Sequence, residues 1–376
     1  MLLAKALAMS MLGLFGIQSQ APGTSFNAAP PVHIHKHFSA KPNALLSPNQ
    51  TKQAYHLSTD PAAGAGKTIA IVDAYDNPNA LRDLNTFNSQ YFPGSANQCN
   101  SNNCFEKHTM SFFTSPNRGW ALEESLDVQW AHAIAPGAKI LLVEARSAGL
   151  SDLLSAVDYA RKQPNVTSVS MSWGGSEFSG QSSYDSHFTP GGTSSAVSFF
   201  ASSGDEGTGV QWPASSANVI GVGGTTLKTD SAGNITAESA WSGSGGGIST
   251  QVNLPSFQHD YGLTGSKRQI PDVAYNADPA TGFPVYDSYG YGGQRGWFQV
   301  GGTSAGAPQW AAINAVNTAG GSSFAAAKLY TDAQSATIQY FNDIVTGTNG
   351  SCGTLCIAGA GYDTVTGLGS PARNQF

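Results

Sequence analysis

Short apolar runs alternate with longer helical stretches along this 376-residue chain, and that alternation constrains the fold more than any other feature. Each run has five to seven residues, which suits a buried strand better than a helix. Because strands that alternate with helices form sheets covered by those helices, the pattern predicts an α/β fold with a mostly parallel central sheet and helices on both faces. The predicted strands are 68–72, 139–145, 166–171, 196–201 and 218–222.

The predicted helices lie between these strands and after them, at 79–91, 120–134, 150–162 and 304–318. The segment 223–300 is richer in Gly, Ser, Tyr and Asp, which predicts loops and hairpins laid over the α/β core. No second core is evident, so one domain from residue 46 to 376 accounts for the pattern.

The N-terminal residues predict export, followed by a tail. Residues 6–17 form an apolar run behind one cation, Lys5. This run is too short to span a bilayer, so we interpret residues 1–21 as a signal peptide. We expect residues 22–45 to form an extended tail. His33, His35 and His37 alternate there, and we interpret them as solvated, with a metal site as the alternative.

The cysteines agree with export. Cys99 and Cys104 bracket one polar loop, and Cys352 and Cys356 bracket another. Two short-range disulfides are typical of a secreted protein. Zinc ligation by the four cysteines is the alternative, although neither pair has the spacing of common zinc knuckles.

The charge balance limits the possible partners. Only 11% of the residues are charged, and the formal net charge is −6, which argues against binding to nucleic acid. Few cations also limit the mutual repulsion that follows when carboxylates are protonated, so the composition suits an acidic medium. No later segment is long and apolar enough to cross a membrane. We therefore expect a secreted monomer that binds neither nucleic acid nor membrane.

A serine and a pair of carboxylates suggest nucleophilic chemistry. Ser304 follows Gly302 and Thr303 in a small-residue turn that opens a predicted helix, whose N-terminus stabilises negative charge near the serine oxygen. Glu123 and Asp127 lie four residues apart on another predicted helix and share one face. Their neighbours are mostly apolar, so the pair predicts a hydroxyl nucleophile activated by a carboxylate.

A third carboxylate completes the set. Asp205 lies in a glycine-flanked turn after a predicted strand, where ligands bind in such sheets, and a protonated carboxyl can donate to an oxyanion. Glu124 is the alternative partner, because it also lies one turn from Asp127. Each residue also has a simpler interpretation: a helix cap for Ser304, a solvated face for the acidic pair and turn stabilisation for Asp205.

These motifs together resemble those of the sedolisins, serine-carboxyl peptidases with a subtilisin-like fold. The family's Ser-Gly-Thr-Ser nucleophile motif is similar to Gly301-Gly302-Thr303-Ser304, with glycine in place of the first serine. The segment 268–279 also resembles the family. The residues carried over are Glu123, Asp127, Asp205 and Ser304 for catalysis, and Ser172, Trp173 and Gly174 for substrate binding.

The resemblance implies an acid-active serine peptidase that cuts proteins or peptides through an acyl-enzyme on Ser304. Glu123 is then the general base, Asp127 orients it, and protonated Asp205 holds the oxyanion. A carboxylate base has an ordinary pKa of about 4, so we expect activity well below neutrality.

The resemblance also implies one calcium ion near the C-terminus. Asp343 and Asp363 would supply carboxylate oxygens, while Ile344, Gly359 and Gly361 would supply backbone carbonyls. Calcium takes six or more oxygens, and glycines let carbonyls turn toward one ion. A glycine-rich loop without metal is the alternative.

Two other functions stay open from the sequence. An ordinary subtilisin would combine Ser304 with Asp73, at the end of the first predicted strand, and a histidine. However, no His-Gly-Thr-His segment follows Asp73, and His132 is the only histidine near the right region. A catalytically silent binding protein on a peptidase fold is the second alternative.

The N-terminus departs from the family's pattern. Sedolisins commonly carry a large prodomain that assists folding and blocks the site, whereas residues 46–57 here resemble the start of the mature domain. The roughly two dozen residues between the predicted signal peptide and that start are too few for a folded inhibitor. We expect either unaided folding, or a short tail that suffices, or a different use of the protein.

Overall fold

Seven α-helices and seventeen strands make up the described part of the chain. The structure is a computed structural model that describes residues 26–30, 32–38, 45–94, 98–101, 103–192, 196–317, 326–373 and 376. The helices are α1 Pro48–Ala54, α2 Ala80–Tyr91, α3 Arg118–Ile134, α4 Leu150–Ala160, α5 Ser256–Tyr261, α6 Gly306–Asn317 and α7 Ala326–Ala333. The strands are β1 His33–Phe38, β2 Thr68–Ala74, β3 Phe105–Thr109, β4 Lys139–Ala145, β5 Val166–Met171, β6 Gly175–Ser176, β7 Ser198–Ser202, β8 Gln211–Trp212, β9 Ile220–Thr229, β10 Ile235–Ala240, β11 Gly247–Asn253, β12 Lys267–Ile270, β13 Val273–Asn276, β14 Phe283–Tyr291, β15 Gln294–Gly301, β16 Phe341–Asn342 and β17 Ser370–Pro371.

A parallel sheet of seven strands forms the centre of the fold, in the order β3-β4-β2-β5-β7-β9-β13. β10 adds an antiparallel strand beside β9. Every residue of β2 is buried, because the strand lies between β4 and β5 and is covered on both faces. The predicted α/β fold with a mostly parallel central sheet is confirmed.

Helices pack on both faces of this sheet. α3 and α6 contact each other on one face, where Trp130 and Trp310 belong to the larger apolar core. α4 packs on β2 and β4 from the other face, with Leu153 and Val157 in the second core. Packing of these two apolar layers against the sheet fixes the positions of the strand ends. The polar residues of the candidate site lie near those ends.

The sequence prediction missed two strands of the central sheet, β3 and β13. β13 lies in the segment predicted as loops and hairpins, yet it pairs parallel with β9. Four buried residues are too few to show a strand period in the sequence. A buried ion pair precedes β13: Arg268 Nη2 lies 2.7 Å from Asp272 Oδ2, and the backbone N–H of Gly221 donates to the same carboxylate oxygen.

The cysteines pair as predicted, Cys99 with Cys104 and Cys352 with Cys356, so none of the four is left as a zinc ligand. No helix in the described ranges combines the length and apolarity needed to cross a bilayer. The predicted signal peptide at 1–21 lies outside the described residues.

Part of the predicted tail is a strand of the fold. β1 pairs antiparallel with β15, which places His33 opposite Gly301. The three alternating histidines are therefore part of a sheet. His37 Nε2 lies 2.8 Å from the carbonyl oxygen of Arg295, and His33 lies beside an acidic residue described below.

Candidate active site

Ser304 lies in a tight turn between β15 and α6. Gly302 has φ +117°, a conformation that favours glycine, and its N–H donates to the carbonyl oxygen of Ala277. The chain then makes a 3₁₀ turn over Thr303–Ala305 and enters α6. Ser304 is fully buried there, at the beginning of a helix whose N-terminal dipole favours negative charge.

Asp205 is bound to the residue before this serine. Its Oδ1 accepts from the backbone N–H of Thr303 at 2.8 Å and from the Thr303 hydroxyl at 2.7 Å. Its Oδ2 lies 3.3 Å from His33 Nε2. Burial raises the pKa of Asp205 to about 7, and the two bonds from Thr303 only partly oppose that rise. Asp205 is therefore largely protonated in acid and able to donate a hydrogen bond.

Glu123 and Asp127 approach the same turn from α3, which contacts both the 3₁₀ turn and α6. Both are fully buried. Burial raises the pKa of Glu123 well above its ordinary value, and the negative charge of Asp73 adds to the effect. The nearby Ser304 hydroxyl lowers that pKa, although no hydrogen bond of standard geometry joins the two side chains. The pKa of Asp127 is raised by the same causes, burial first and Asp73 second.

Glu124 faces a different environment. Burial raises its pKa, followed by the charge of Glu144, while Lys107 lowers it. Lys107 Nζ lies 3.1 Å from Glu144 Oε1. The charge of Asp73 raises the pKa of both Glu123 and Glu124, whereas the Ser304 hydroxyl acts on Glu123. This difference favours Glu123 as the partner of Ser304.

Asp73 was assigned from the sequence only to the subtilisin alternative, yet it belongs to this cluster. Asp73 is the last residue but one of β2 and is fully buried, and neither of its carboxylate oxygens has a hydrogen-bond partner among the described residues. The sequence signal for Asp73 was its position directly after the predicted strand 68–72. His132 instead lies 3.2 Å from Asn88 Nδ2 and 4.0 Å from Cys99 Sγ. Burial and the charge of Lys52 lower the pKa of His132 to about 4.

The predicted substrate-binding segment borders the serine. Ser172 Oγ donates to the backbone carbonyl of Ser304 at 3.4 Å, and Trp173 Nε1 donates to the carbonyl of Val72 at 2.9 Å. Gly174 forms an antiparallel bridge with Ala29 of the N-terminal tail. The tail thus contacts Gly174 before it reaches His33 and Asp205.

Four of the five predicted calcium ligands are joined in pairs by hydrogen bonds from backbone N–H groups. The N–H of Gly361 donates to Asp343 Oδ2 at 2.9 Å, and the N–H of Gly359 donates to Asp363 Oδ2 at 3.1 Å. Ile344 is buried in a small apolar cluster that anchors the loop. Carboxylate oxygens are ligands that a hard cation such as calcium prefers, so the side chains of Asp343 and Asp363 fit that ion chemically.

Comparison with known proteins agrees with this geometry. Residues 94–338 match the model of the subtilase family. The chain is 29% identical to "Sedolisin" of Pseudomonas sp. (strain 101) over 86% of this chain and 59% of that protein. It is 34% identical to "Kumamolisin" of Bacillus sp. (strain MN-32) over 89% of this chain and 63% of that protein. The chain therefore spans about three fifths of the length of these relatives.

Solved structures show the same likeness. The structure described as Pseudomonas sedolisin, a serine-carboxyl proteinase complexed with two molecules of pseudo-iodotyrostatin, superposes with a TM-score of 0.73 at 29% identity. The match covers 87% of this chain and 95% of that one. Sphericase superposes with a TM-score of 0.54 at 18% identity, over 86% of this chain and 97% of that one, and shows the shared fold alone.

The raised pKa of Asp205 predicts that stability falls as pH rises. The folded protein keeps this proton up to about pH 7, whereas an unfolded Asp loses it near pH 4, so the stabilisation is complete below about pH 4 and is lost as pH rises through 7. We expect the Tm of a Ser304→Ala protein, which cannot digest itself by this site, to fall over that interval. Adding Asp205→Asn should make the fall shallower, as measured by thermal unfolding in a pH series.

Asp60→Asn, which removes an exposed carboxylate, is the matched control and should leave the slope unchanged. Identical slopes with and without Asp205→Asn would show that this carboxyl does not hold its proton in the folded state.

Proposed function

The chain belongs to the subtilase family, with sedolisin and kumamolisin among its relatives, and from that premise we propose that it is an acid-active serine-carboxyl peptidase. The observation that carries the proposal is the buried cluster in which Glu123 lies beside Ser304 while Asp205 is tied to Thr303. The substrates are proteins or peptides, which enter along Ser172-Trp173-Gly174.

In the proposed reaction, Glu123 accepts the Ser304 hydroxyl proton as Oγ bonds to the peptide carbonyl carbon. Asp127 orients Glu123 from the same helix face. Protonated Asp205 donates to the oxyanion that forms. When the tetrahedral intermediate collapses, the C–N bond breaks and Glu123 returns the proton to the leaving amine. Water then hydrolyses the acyl-enzyme with Glu123 again as base.

The carboxyl cluster explains why this chemistry belongs in acid. Each ionised carboxylate opposes ionisation of the next, so the protons leave one after another and the site titrates as a unit. The first carboxyl group of the cluster to lose its proton serves as the general base. Ionisation of Asp205, with its pKa of about 7, removes the oxyanion donor. Activity should therefore decline as pH rises toward neutrality.

A calcium ion is the proposed cofactor. Asp343 and Asp363 would hold it with carboxylate oxygens, and Ile344, Gly359 and Gly361 with backbone carbonyls. The ion would offset the repulsion between the two carboxylates and stabilise the loop that ends near β17. Its role is structural, because these residues lie outside the carboxyl cluster around Ser304.

Export is the proposed localisation. Two disulfides support it, since such bonds persist in oxidising compartments. If residues 1–21 are a signal peptide, protein recovered from the culture medium should begin near residue 21, as read by N-terminal sequencing. Recovery of the protein only inside cells, with Met1 intact, would contradict this proposal.

The catalytic assignment predicts that the adjacent residues Glu123 and Glu124 differ in their effect on activity. At about pH 3–4 we expect cleavage of denatured protein, with a loss of roughly 10⁴-fold in kcat for Ser304→Ala and for Glu123→Gln. Glu124→Gln and His132→Ala are matched controls, since the first changes the adjacent buried carboxyl and the second removes the alternative base. Both should retain activity within about tenfold if thermal unfolding shows them folded.

Three outcomes would contradict the assignment. An activity optimum at neutral or alkaline pH would argue against a carboxylate base. Inactive but folded His132→Ala would favour the subtilisin alternative, and absence of cleavage in wild type would favour the silent binding protein.

The calcium proposal predicts a ligand-dependent rise in stability. At a concentration about 100 times its Kd, calcium should add about 2.7 kcal/mol, which would raise the Tm by several degrees. Asp343→Asn should remove most of the shift, whereas Asp60→Asn should not. A shift of equal size with magnesium, or one that survives Asp343→Asn, would contradict a dedicated calcium site here.

A further inference from the structure

Lys52 on α1 is a buried cation without a carboxylate partner. The residue is 4% exposed, and within the described part of the chain the lysines that form ion pairs are others. Burial lowers the pKa of Lys52 to about 8, so most of its charge remains at neutral pH. An unpaired buried charge is costly, so an anion that forms beside it would be stabilised.

The sulfur of Cys99 lies beside polar groups in the same buried region. Asn88 Nδ2 lies 3.7 Å from Cys99 Sγ, and His132 Nε2 lies 4.0 Å from it. The charge of Lys52 lowers the pKa of His132. Lys52 Nζ also lies 5.9 Å from the centroid of the Phe92 ring, which packs edge-to-face against His132. The cation and the Cys99 sulfur therefore share His132 as a neighbour.

The two cysteines of this disulfide differ in exposure. Cys104 is half-buried, whereas Cys99 is 4% exposed. A thiol from solution therefore reaches Cys104 more readily than Cys99. Attack on Cys104 makes Cys99 the leaving sulfur, and exchange is faster when the leaving sulfur forms a stable thiolate. The leaving sulfur is thus the one that lies beside Asn88 and His132.

Backbone contacts hold both cysteines in place independently of the bond between their sulfurs. The N–H of Cys99 donates to Asn85 Oδ1 at 2.7 Å, and the Asn85 amide donates to the carbonyl of Cys99 at 2.9 Å. The N–H of Ile140 donates to the carbonyl of Cys104 at 2.9 Å. Because these contacts survive when the disulfide opens, the two sulfurs stay near each other and the bond can close again.

The second disulfide is an internal reference with different surroundings. Cys352 is exposed and Cys356 is buried, so the two sulfurs differ in access as Cys104 and Cys99 do. The hydroxyl oxygen of Thr208 lies 3.7 Å from Cys352 Sγ. Among the described residues, neither of these two sulfurs has a hydrogen-bond contact with Lys, Arg or His. A thiolate formed there would lack the neighbouring cation.

We propose that the Cys99–Cys104 disulfide is a thiol-exchange site for small thiols such as glutathione. The thiol bonds to the Cys104 sulfur, and Cys99 leaves as a thiolate beside Asn88 and His132, in the field of Lys52. Burial alone opposes that thiolate, whereas the donating amide and the nearby cation favour it. The site lies outside the proposed catalytic cluster, so the proposal is independent of the peptidase chemistry.

The exchange is a two-electron reduction by two thiols. The first thiolate attacks Cys104 Sγ, the bond between the two protein sulfurs breaks, and its electron pair stays on Cys99 Sγ. The product is a mixed disulfide at Cys104. A second thiolate then attacks the sulfur of the small thiol in that mixed disulfide, which releases the Cys104 thiolate and the oxidised small-molecule disulfide. Attack by Cys99 instead restores the original bond.

A redox titration of the folded, full-length Ser304→Ala protein tests the site. The protein is equilibrated at about pH 7 with mixtures of reduced and oxidised glutathione, and free thiols are trapped with N-ethylmaleimide. Mass spectrometry of the resulting peptides then reports the open fraction of each disulfide. We expect the Cys99–Cys104 bond to be half open under conditions roughly tenfold less reducing than the Cys352–Cys356 bond requires.

Three lysine variants identify the cause of that difference. Lys52→Met removes the buried cation and keeps a similar length, so it should fold and should reduce the difference to about threefold or less. Lys52→Arg keeps the charge and should keep the difference. Lys139→Met is the matched control, because it removes a lysine whose charge Glu106 already offsets. This control should leave the difference unchanged.

A second measurement does not depend on these variants. In the reduced wild-type sequence with Ser304→Ala, the pH dependence of maleimide reaction at Cys99 should give a thiol pKa below the ordinary value of about 8.5. A pKa at or above that value would overturn the proposal. Equal opening of the two disulfides would also overturn it, as would a tenfold difference that survives Lys52→Met, since exposure rather than the cation would then be the cause.

Discussion

Burial of acidic side chains without Lys or Arg partners is the constraint on which the candidate site depends. Asp73, Glu123 and Asp127 are fully buried, and Asp205 nearly so. Within the described ranges, none of the four forms an ion pair with Lys or Arg. Because charge is costly in such surroundings, these groups hold their protons more tightly than in water. The fold thereby favours a largely protonated cluster, which is the state suited to an acidic medium.

The surroundings of Glu123 and Glu124, which are adjacent on α3, differ in charge. Glu124 lies in the field of Glu144 and Lys107, and Lys107 also lies 2.6 Å from Asp76. That cation offsets part of the negative charge on its side of the helix. Glu123 has no such offset and lies instead beside Ser304. Adjacent residues of the same type thus acquire different chemistry, since helix geometry turns them toward different surroundings.

Exposed backbone edges beside the candidate site hold the N-terminal segment. Gly149, Gly174 and Gly301 all pair with the N-terminal segment. In the proposed function, a peptide substrate would have to displace that segment, because both would use the same hydrogen-bonding edges. The contact between His33 and Asp205 places the segment directly beside the proposed oxyanion group. A peptide could therefore reach these proposed binding edges only when the N-terminal segment leaves them.

Much of this protein follows from local sequence. Buried runs and helical stretches identified most of the central sheet and α2, α3, α4 and α6, and motif spacing selected Glu123, Asp127, Asp205 and Ser304, which the structure brings to one place. Only the tertiary structure placed Asp73 in the cluster, β13 in the sheet and Phe26 against Trp212. Hydrophobic periodicity and motif spacing depend only on residues that are close together in the sequence. These contacts, by contrast, join residues that are far apart in the sequence. Their surroundings, and hence their charge state and partners, exist only once the sheet has brought its strand ends together.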